Sequence, residues 1–382
     1  MIVSRNSLKW LPALVVPVVV VGAIIAVPLQ AGAAVDLPDK TPEQVLLLVN
    51  DSTVSTFSGT IAQSSDLGLP SLDLGAGMTG AAPTDGSTAA PGPESAAVLT
   101  TALELLSGSH EFRVYVSDPS TSRIQVMDHL AERDLVRNGS DVWLYDSSSN
   151  AATHLSVPAQ LSATAAAKFA ELESQLPTDL STPAQLAERF LGDLDPSTTV
   201  SVGTDTRVAG RGVYQLVLTP KATDTLVASV SIAVDAETGL PLQVTVLAQG
   251  QAAPALQVGF TAIDFAQPAA DLFNFVPPAT ATVTEQALPA MPDAASRDHA
   301  EATAPAAGDL PTVTGTGWSS IVEIPAAAVP AELSGNPMLE QLTQAVDGGR
   351  ALTTSLLSVF LAQDGRVFAG AVPLPVLQAA AG

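Results

Sequence analysis

The chain has 382 residues and a mass of 38.8 kDa, with 15 basic against 38 acidic residues, a net charge of −23 and an isoelectric point near 4.2. Such a field repels phosphate backbones and excludes a nucleic-acid partner, and the lack of cysteine excludes disulfides, thiolate metal sites, thiol catalysis and anchoring through a lipidated cysteine. The length suits two or three domains, and apolar residues at 47% are too many for a disordered chain, but aromatics at 4% leave the core to Val, Leu, Ile and Ala.

Arg5 and Lys9 precede an apolar run from Trp10 to Leu29, and Ala31-Gly32-Ala33 follows as an A-x-A-like cleavage site. Residues 1–33 are therefore expected to be a signal peptide or an N-terminal membrane anchor. The run is long for the first and near the ~20 residues a span needs. Both readings place the rest of the chain outside the cytoplasm.

Thr41 before Pro42-Glu43 predicts a helix start, with Thr41 as the cap and Val45, Leu46 and Val49 as its apolar stripe. A strand is expected over Phe57–Ile61. Residues 64–107 break the pattern with Gly, Pro, Ser and Ala, then a short helix from Ser95 to Leu106, and read as an insertion.

From His110 the period is two. Phe112, Val114 and Val116 share one face against Glu111, Arg113 and Tyr115; Ile124 and Val126 repeat this opposite Arg123 and Gln125. Leu135-Val136 form a weaker strand ending at Asn138-Gly139. Val142 to Tyr145 form one that is apolar on both faces, and His154, Leu155 and Val157 follow a turn. Helices are expected over about 159–176 and 183–191. The alternation resumes at Tyr214, Leu216 and Leu218, at Val230, Ile232 and Val234, at Leu242, Val244 and Val246 beyond the Glu237-Thr238-Gly239 turn, and at Leu256, Val258 and Phe260.

About eleven strands with one apolar and one polar face argue for an antiparallel sheet. A sheet that large curls. Curled around its apolar face it is either a half-open barrel with a greasy interior under helices or a filled sandwich core; the pattern allows both. The fold class is accordingly mainly β (α+β), a large curved antiparallel sheet with a helical lid.

Several segments in order resemble a known family: Thr41 to Val45, Phe57-Ser58-Gly59-Thr60, Arg133 to Gly139 leading to Asp141-Val142-Trp143-Leu144-Tyr145-Asp146, Leu240-Pro241-Leu242, Val258-Gly259-Phe260 and Phe273 to Pro278. Their succession over roughly 41–285 is similar to the LolA/LolB-like superfamily, in its actinobacterial cell-envelope branch, and to the N-terminal domain of the sigma-E regulators RseB/MucB. The resemblance implies an open barrel of about eleven strands, with helices at its mouth and an apolar cavity that carries or senses the acyl chains of lipids or lipoproteins. Proteobacterial carriers tend to have an Arg before a Pro that latches the lid. Here the matching place holds Asp118-Pro119, so that latch does not carry over.

The residues expected to line the cavity are Phe112, Val114, Val116, Ile124, Val126, Leu216, Val230, Ile232, Val244, Val246, Val258 and Phe260. Residues 34–285 would be the barrel domain and 286–316 an Ala/Pro-rich linker. Residues 317–382 would form a small βαββα module, with a strand through Ile324, a helix over 337–346, a hairpin at Gln363-Asp364-Gly365 and a closing helix over 373–381.

No nucleophile elbow, P-loop, dinucleotide fingerprint or metal-ligand spacing is present, and His110, His129, His154 and His299 are scattered. The expectation is a non-enzymatic extracytoplasmic binder of lipid or lipoprotein acyl chains, without cofactor or metal, touching the membrane surface through its N-terminal segment. The alternative is an RseB/MucB-like partner of an extracytoplasmic anti-sigma factor or other membrane protein. A hydrolase would need a dyad the sequence does not offer.

Overall fold

The computed structural model describes residues 35–68, 108–127, 132–157, 197–287, 311–329 and 342–382. The expected N-terminal segment (1–33), most of the insertion (69–107), the two helices over 159–176 and 183–191, His129, His299 and most of the linker lie outside them.

Helix α1 (Pro42–Asn50) begins as its residues require. Thr41 Oγ1 accepts from the Gln44 amide and Gln44 Oε1 accepts from the Thr41 amide, a reciprocal capping box with Pro at the first turn. Its stripe meets the sheet through Val45, which is fully buried.

Thirteen strands form one sheet. In chain order they are β1 (Phe57–Ser65), β2 (Gly108–Asp118), β3 (Thr121–Met127), β4 (Glu132–Asn138), β5 (Asp141–Asp146), β6 (Ala151–Ser156), β7 (Thr198–Val202), β8 (Thr206–Val208), β9 (Arg211–Pro220), β10 (Val227–Asp235), β11 (Pro241–Ala248), β12 (Leu256–Asp264) and β13 (Thr282–Ala287). Their spatial order is β13-β6-β5-β4-β3-β2-β1-β12-β11-β10-β9-β7, with β8 beside the start of β9. The two halves of the sheet, β2–β6 and β9–β12, meet at β1, which joins β2 to β12. Among the described residues the edges β13 and β7 do not pair with each other, so the sheet is an open half-barrel.

Every pair in it is antiparallel except β13 with β6, which is parallel; the expected all-antiparallel sheet is thus mixed at one edge. Strand β13 also runs past residue 285, where the linker was expected to begin. Residues 270–275 fold back over the sheet. Arg123 pairs with buried Asp134 through Nε–Oδ1 at 3.2 Å and Nη2–Oδ2 at 2.8 Å, and its Nη1 donates to the Leu272 carbonyl at 3.3 Å. Phe275 packs near Trp143 and Tyr145, with ring centroids 5.5 and 5.7 Å away.

A second sheet of six strands follows: β14 (Thr312–Thr314), β15 (Ile321–Ile324), β16 (Gln344–Val346), β17 (Gly349–Thr353), β18 (Ser358–Ala362) and β19 (Val367–Gly370), ordered β14-β15-β19-β18-β17-β16. Helix α2 (Leu374–Ala381) closes it over a core of Ile321, Phe360, Phe368, Val372 and Leu377. The Asp364-Gly365 hairpin and the closing helix are where the sequence places them. The expected βαββα order gains strands: β14, β16 and β17 are additional, β14 falls inside the expected linker, and 344–346 is strand where the end of a helix was expected, while 337–341 of that helix lie outside the described residues.

Candidate functional site: one apolar sheet face

Residues directly opposite on paired strands point to the same side of a sheet. Following the register from strand to strand therefore fixes which side chains share a face. Leu216 faces Ile232, which faces Val244, which faces Val258; Leu218 faces Val230, which faces Val246. Val258 and Phe260 face Gln63 and Ile61, and Ile61 faces Phe112. Phe112 and Val114 face Val126 and Ile124, and Val116 stands two residues further along the same side. Eleven of the twelve residues expected to line a cavity thus lie on one face that crosses the sheet; Phe260, at the register shift of β12, departs from it.

The face is not uniform. Toward β9 and β10 it is filled by the chain itself: Leu216 is 3% exposed in a cluster with Val45, Tyr214 and Val234, and Ile232 packs against that cluster. Tyr214 is anchored there by donating to the Pro38 carbonyl at 3.0 Å, and burial pushes its phenol pKa up. Leu216 and Ile232 are wedged under α1, as a packed core would have them. Phe260 lies beside a register shift, meets Phe57 edge-on at 5.9 Å and packs against the cluster of Val208, Val213, Ala233 and Leu242.

Toward β3–β6 the face is open. Ile124 faces Leu135, and Leu135 faces Leu144, which faces Thr153. These side chains line a cavity of about 330 Å³ together with Val126 and Ala151, and Leu135 and Leu144 are 39% and 44% exposed. Arg133 and Asp146 face each other across the strands on its rim. Burial pushes the Asp146 carboxyl up, but hydrogen bonds from the Ser148 hydroxyl and amide, with the Arg133 charge, hold it below its usual value. Of the expected lining residues, Ile124 and Val126 stand in this cavity. Leu135, Leu144, Ala151 and Thr153 were not expected there, although the alternation of Val142 and Leu144 against Trp143 and Tyr145 carried the information.

The opposite face of the same strands carries aromatic and polar side chains and is covered by segment 270–275. His154 stacks on Trp143 with centroids 4.3 Å apart, so Trp143 packs there instead of facing the cavity. His154 Nδ1 lies 2.7 Å from Glu285 and Nε2 3.0 Å from Asp141. Burial lowers the imidazole pKa, and the two carboxylates outweigh it and raise it. The carboxylates sit at opposite ring nitrogens and cannot converge on one ion. Among the described residues no group of three or more His, Asp and Glu side chains could hold a metal, and no helix is long and apolar enough to cross a membrane. Asp118, at the place of the carriers' latch, is occupied by its own turn: it accepts from the Ser120 amide at 2.7 Å and hydroxyl at 2.6 Å.

Residues 106–291 match the model of the MucB/RseB N-terminal domain, and the resemblance drawn from the residues holds over that span. Among solved structures, the MucA/MucB complex of Pseudomonas aeruginosa aligns at 15% identity over 88% of this chain and 96% of the other, with a TM-score of 0.40. A conserved protein of Thermus thermophilus aligns at 10% identity over 64% and 98%, with a TM-score of 0.31. The LolA superfamily protein NE2245 of Nitrosomonas europaea aligns at 11% over 62% and 99%, with a TM-score of 0.22. No curated protein matches the sequence.

Proposed function

We propose that the protein is a non-enzymatic, extracytoplasmic binder of acyl chains, from lipids or lipoproteins, and that the chain lies on the apolar face with its entry at the β3–β6 cavity. The observation that carries this is the register: eleven separately chosen side chains share one side of a curved sheet, and that side opens in a cavity lined by Ile124, Val126, Leu135 and Leu144. Each methylene moved there from water is worth about 0.8 kcal/mol, so a partly enclosed chain binds usefully without a charged anchor. On this reading the barrel domain, expected over 34–285, extends to the end of β13 at residue 287, and Val114, Val116, Val230, Val244, Val246 and Val258 are the wall along which a longer chain extends. Native mass spectrometry and lipid extraction of the purified protein test it. Co-purifying acyl lipids support the reading; a protein that comes through empty counts against it.

The match to the MucB/RseB N-terminal domain favours a second reading, a regulatory partner that holds the extracytoplasmic part of a membrane protein. A pull-down from solubilised membranes separates the two. A regulator retains one stoichiometric protein, whereas a binder of acyl chains exchanges lipid and retains none.

A further inference from the structure

The register that orders the apolar face also places its charges. Across β3–β6 the row Ile124, Leu135, Leu144 and Thr153 has a neighbouring row on either side. Toward one end of the strands stand Val126, Arg133, Asp146 and Ala151; toward the other stand Ser122, Arg137, Val142 and Leu155. The charged residues in these rows are two arginines and one aspartate, in a chain with 38 acidic residues against 15 basic ones. Arg133 lies opposite Asp146, and its charge helps to hold that carboxyl down. Arg137 has no such counterpart. Its direct neighbours on the face are Ser122 and Val142, and among the described residues no carboxylate pairs with it. Its Nε donates to the Gly139 carbonyl and its Nη1 to the Pro119 carbonyl, each at 3.4 Å. Both are longer than the roughly 2.7–3.2 Å of a good N–H···O bond. They hold the guanidinium at the β2–β3 and β4–β5 turns, and Nη2 has no partner among the described residues. The Asp118 carboxylate beside Pro119 is engaged by Ser120 and Thr121 instead. Arg137 is half-buried and stands two residues beyond Leu135 on the same side, roughly 7 Å along the strand.

We infer that Arg137 receives an anionic head group, the carboxylate or phosphate oxygens of the acyl ligand, and sets the ligand with its head at the β4–β5 turn and its methylenes over Leu135 and Ile124. The inference rests on the reading of the face as an acyl site and names the class of ligand that site prefers. A guanidinium meets a carboxylate or a phosphate through two parallel N–H···O bonds. Beside an apolar face those bonds are stronger than in open water. The overall charge of −23 works against an anion at long range. A preference for the anion over its neutral counterpart therefore needs a local cation, and Arg137 is the one in these rows without a carboxylate opposite it. The head adds to binding that the methylenes already supply.

The test is displacement of the neutral apolar dye N-phenylnaphthylamine from the full chain by laurate, dodecyl phosphate and dodecanol, which share one chain length and differ in the head. The wild type is expected to bind the anions roughly tenfold more tightly than the alcohol, with a margin that narrows as salt is added. Arg137→Gln should bring the anions to the level of the alcohol. Arg137→Lys, which keeps the charge but not the paired donors, should retain part of the margin. Arg133→Gln, at the other end of the same face, should retain all of it. Urea unfolding shows that each variant is folded. A margin confined to one of the two anions supports the inference and identifies the head. Equal binding of all three by the wild type, a margin that survives Arg137→Gln, or one lost only in Arg133→Gln overturns the inference and leaves the acyl site standing. A wild type that binds none of the three overturns both.

Discussion

Arg211 and Asp235 meet through two parallel contacts, Nε to Oδ1 and Nη2 to Oδ2, each 2.8 Å, at a carboxylate that is 1% exposed. The pair ties the start of β9 to the end of β10, and Asp235 Oδ2 also accepts from the Thr238 amide and hydroxyl, which fixes the β10–β11 turn. Burial pushes the Asp235 carboxyl up, but the Arg211 and Thr238 hydrogen bonds outweigh it and hold its pKa below the usual carboxylate range.

Removing Asp235 takes the buried acceptor from Arg211 and from the Thr238 turn and leaves Arg211 with Glu237 as its ion-pair partner. Asp235→Ala is expected to cost about 3 kcal/mol in urea unfolding. Because the folded pKa is depressed, this stability is present above the unfolded value near 3.9 and is lost as pH falls through the lower folded value. The acid limb of the stability curve should flatten in Asp235→Ala; an unchanged limb would show that the pair does not carry it.

Arg123 holds the returning segment 270–275 by its bond to the Leu272 carbonyl, and Phe275 rests near Trp143. Arg123→Ala leaves Asp134, 5% exposed, without its guanidinium. We expect a loss of about 3 kcal/mol and a shift of Trp143 emission toward that of a wetter ring. Emission that stays at the wild-type position would mean Arg123 does not hold the segment.

His154 joins β6 to β13 through Glu285, its register partner. Only the imidazolium donates to both Glu285 and Asp141. The folded pKa is raised, so the contribution is complete below the unfolded value near 6.5 and is lost as pH rises through the higher folded value. Hydrogen exchange of the β13 amides should accelerate across that window in the wild type and lose this dependence in His154→Gln. The same dependence in both proteins would place the titrating group elsewhere.

Gly239 has φ +74°, and a Cβ there would run into the Leu48 carbonyl oxygen of α1. Gly250, at φ +76°, has open space around its missing Cβ. Gly250→Ala should cost only the left-handed backbone penalty, about 1 kcal/mol, whereas Gly239→Ala should cost distinctly more and lower the Tm further. Equal losses would mean that α1 yields without resistance.

The strands that carry the apolar face were readable because their alternation is long: Phe112 to Val116 and Tyr214 to Leu218 repeat over several residues. β7, β8, β13 and β14 were missed because the sequence gives them little contrast. Thr282–Ala287 offers one large apolar side chain, Val283, and becomes a strand through parallel pairing with β6, about 130 residues away. At 344–346 the local pattern suited a helix, and pairing with Gly349–Thr353 across a tight turn overrides it. For the site, alternation tells which residues share a face but not what covers it. That is why Leu216, beneath α1, and Leu144, in an open cavity, read alike in the sequence.

Uptake of a fluorescent fatty acid by the purified full chain, compared with Leu144→Glu, tests the acyl site most directly. Leu144 is 44% exposed, so the substitution should change stability by no more than about 0.5 kcal/mol, and loss of binding then reports the cavity itself. Saturable uptake by the wild type, weakened roughly tenfold or more in Leu144→Glu, is the predicted result. No uptake by the wild type, or equal uptake by both, would contradict the account.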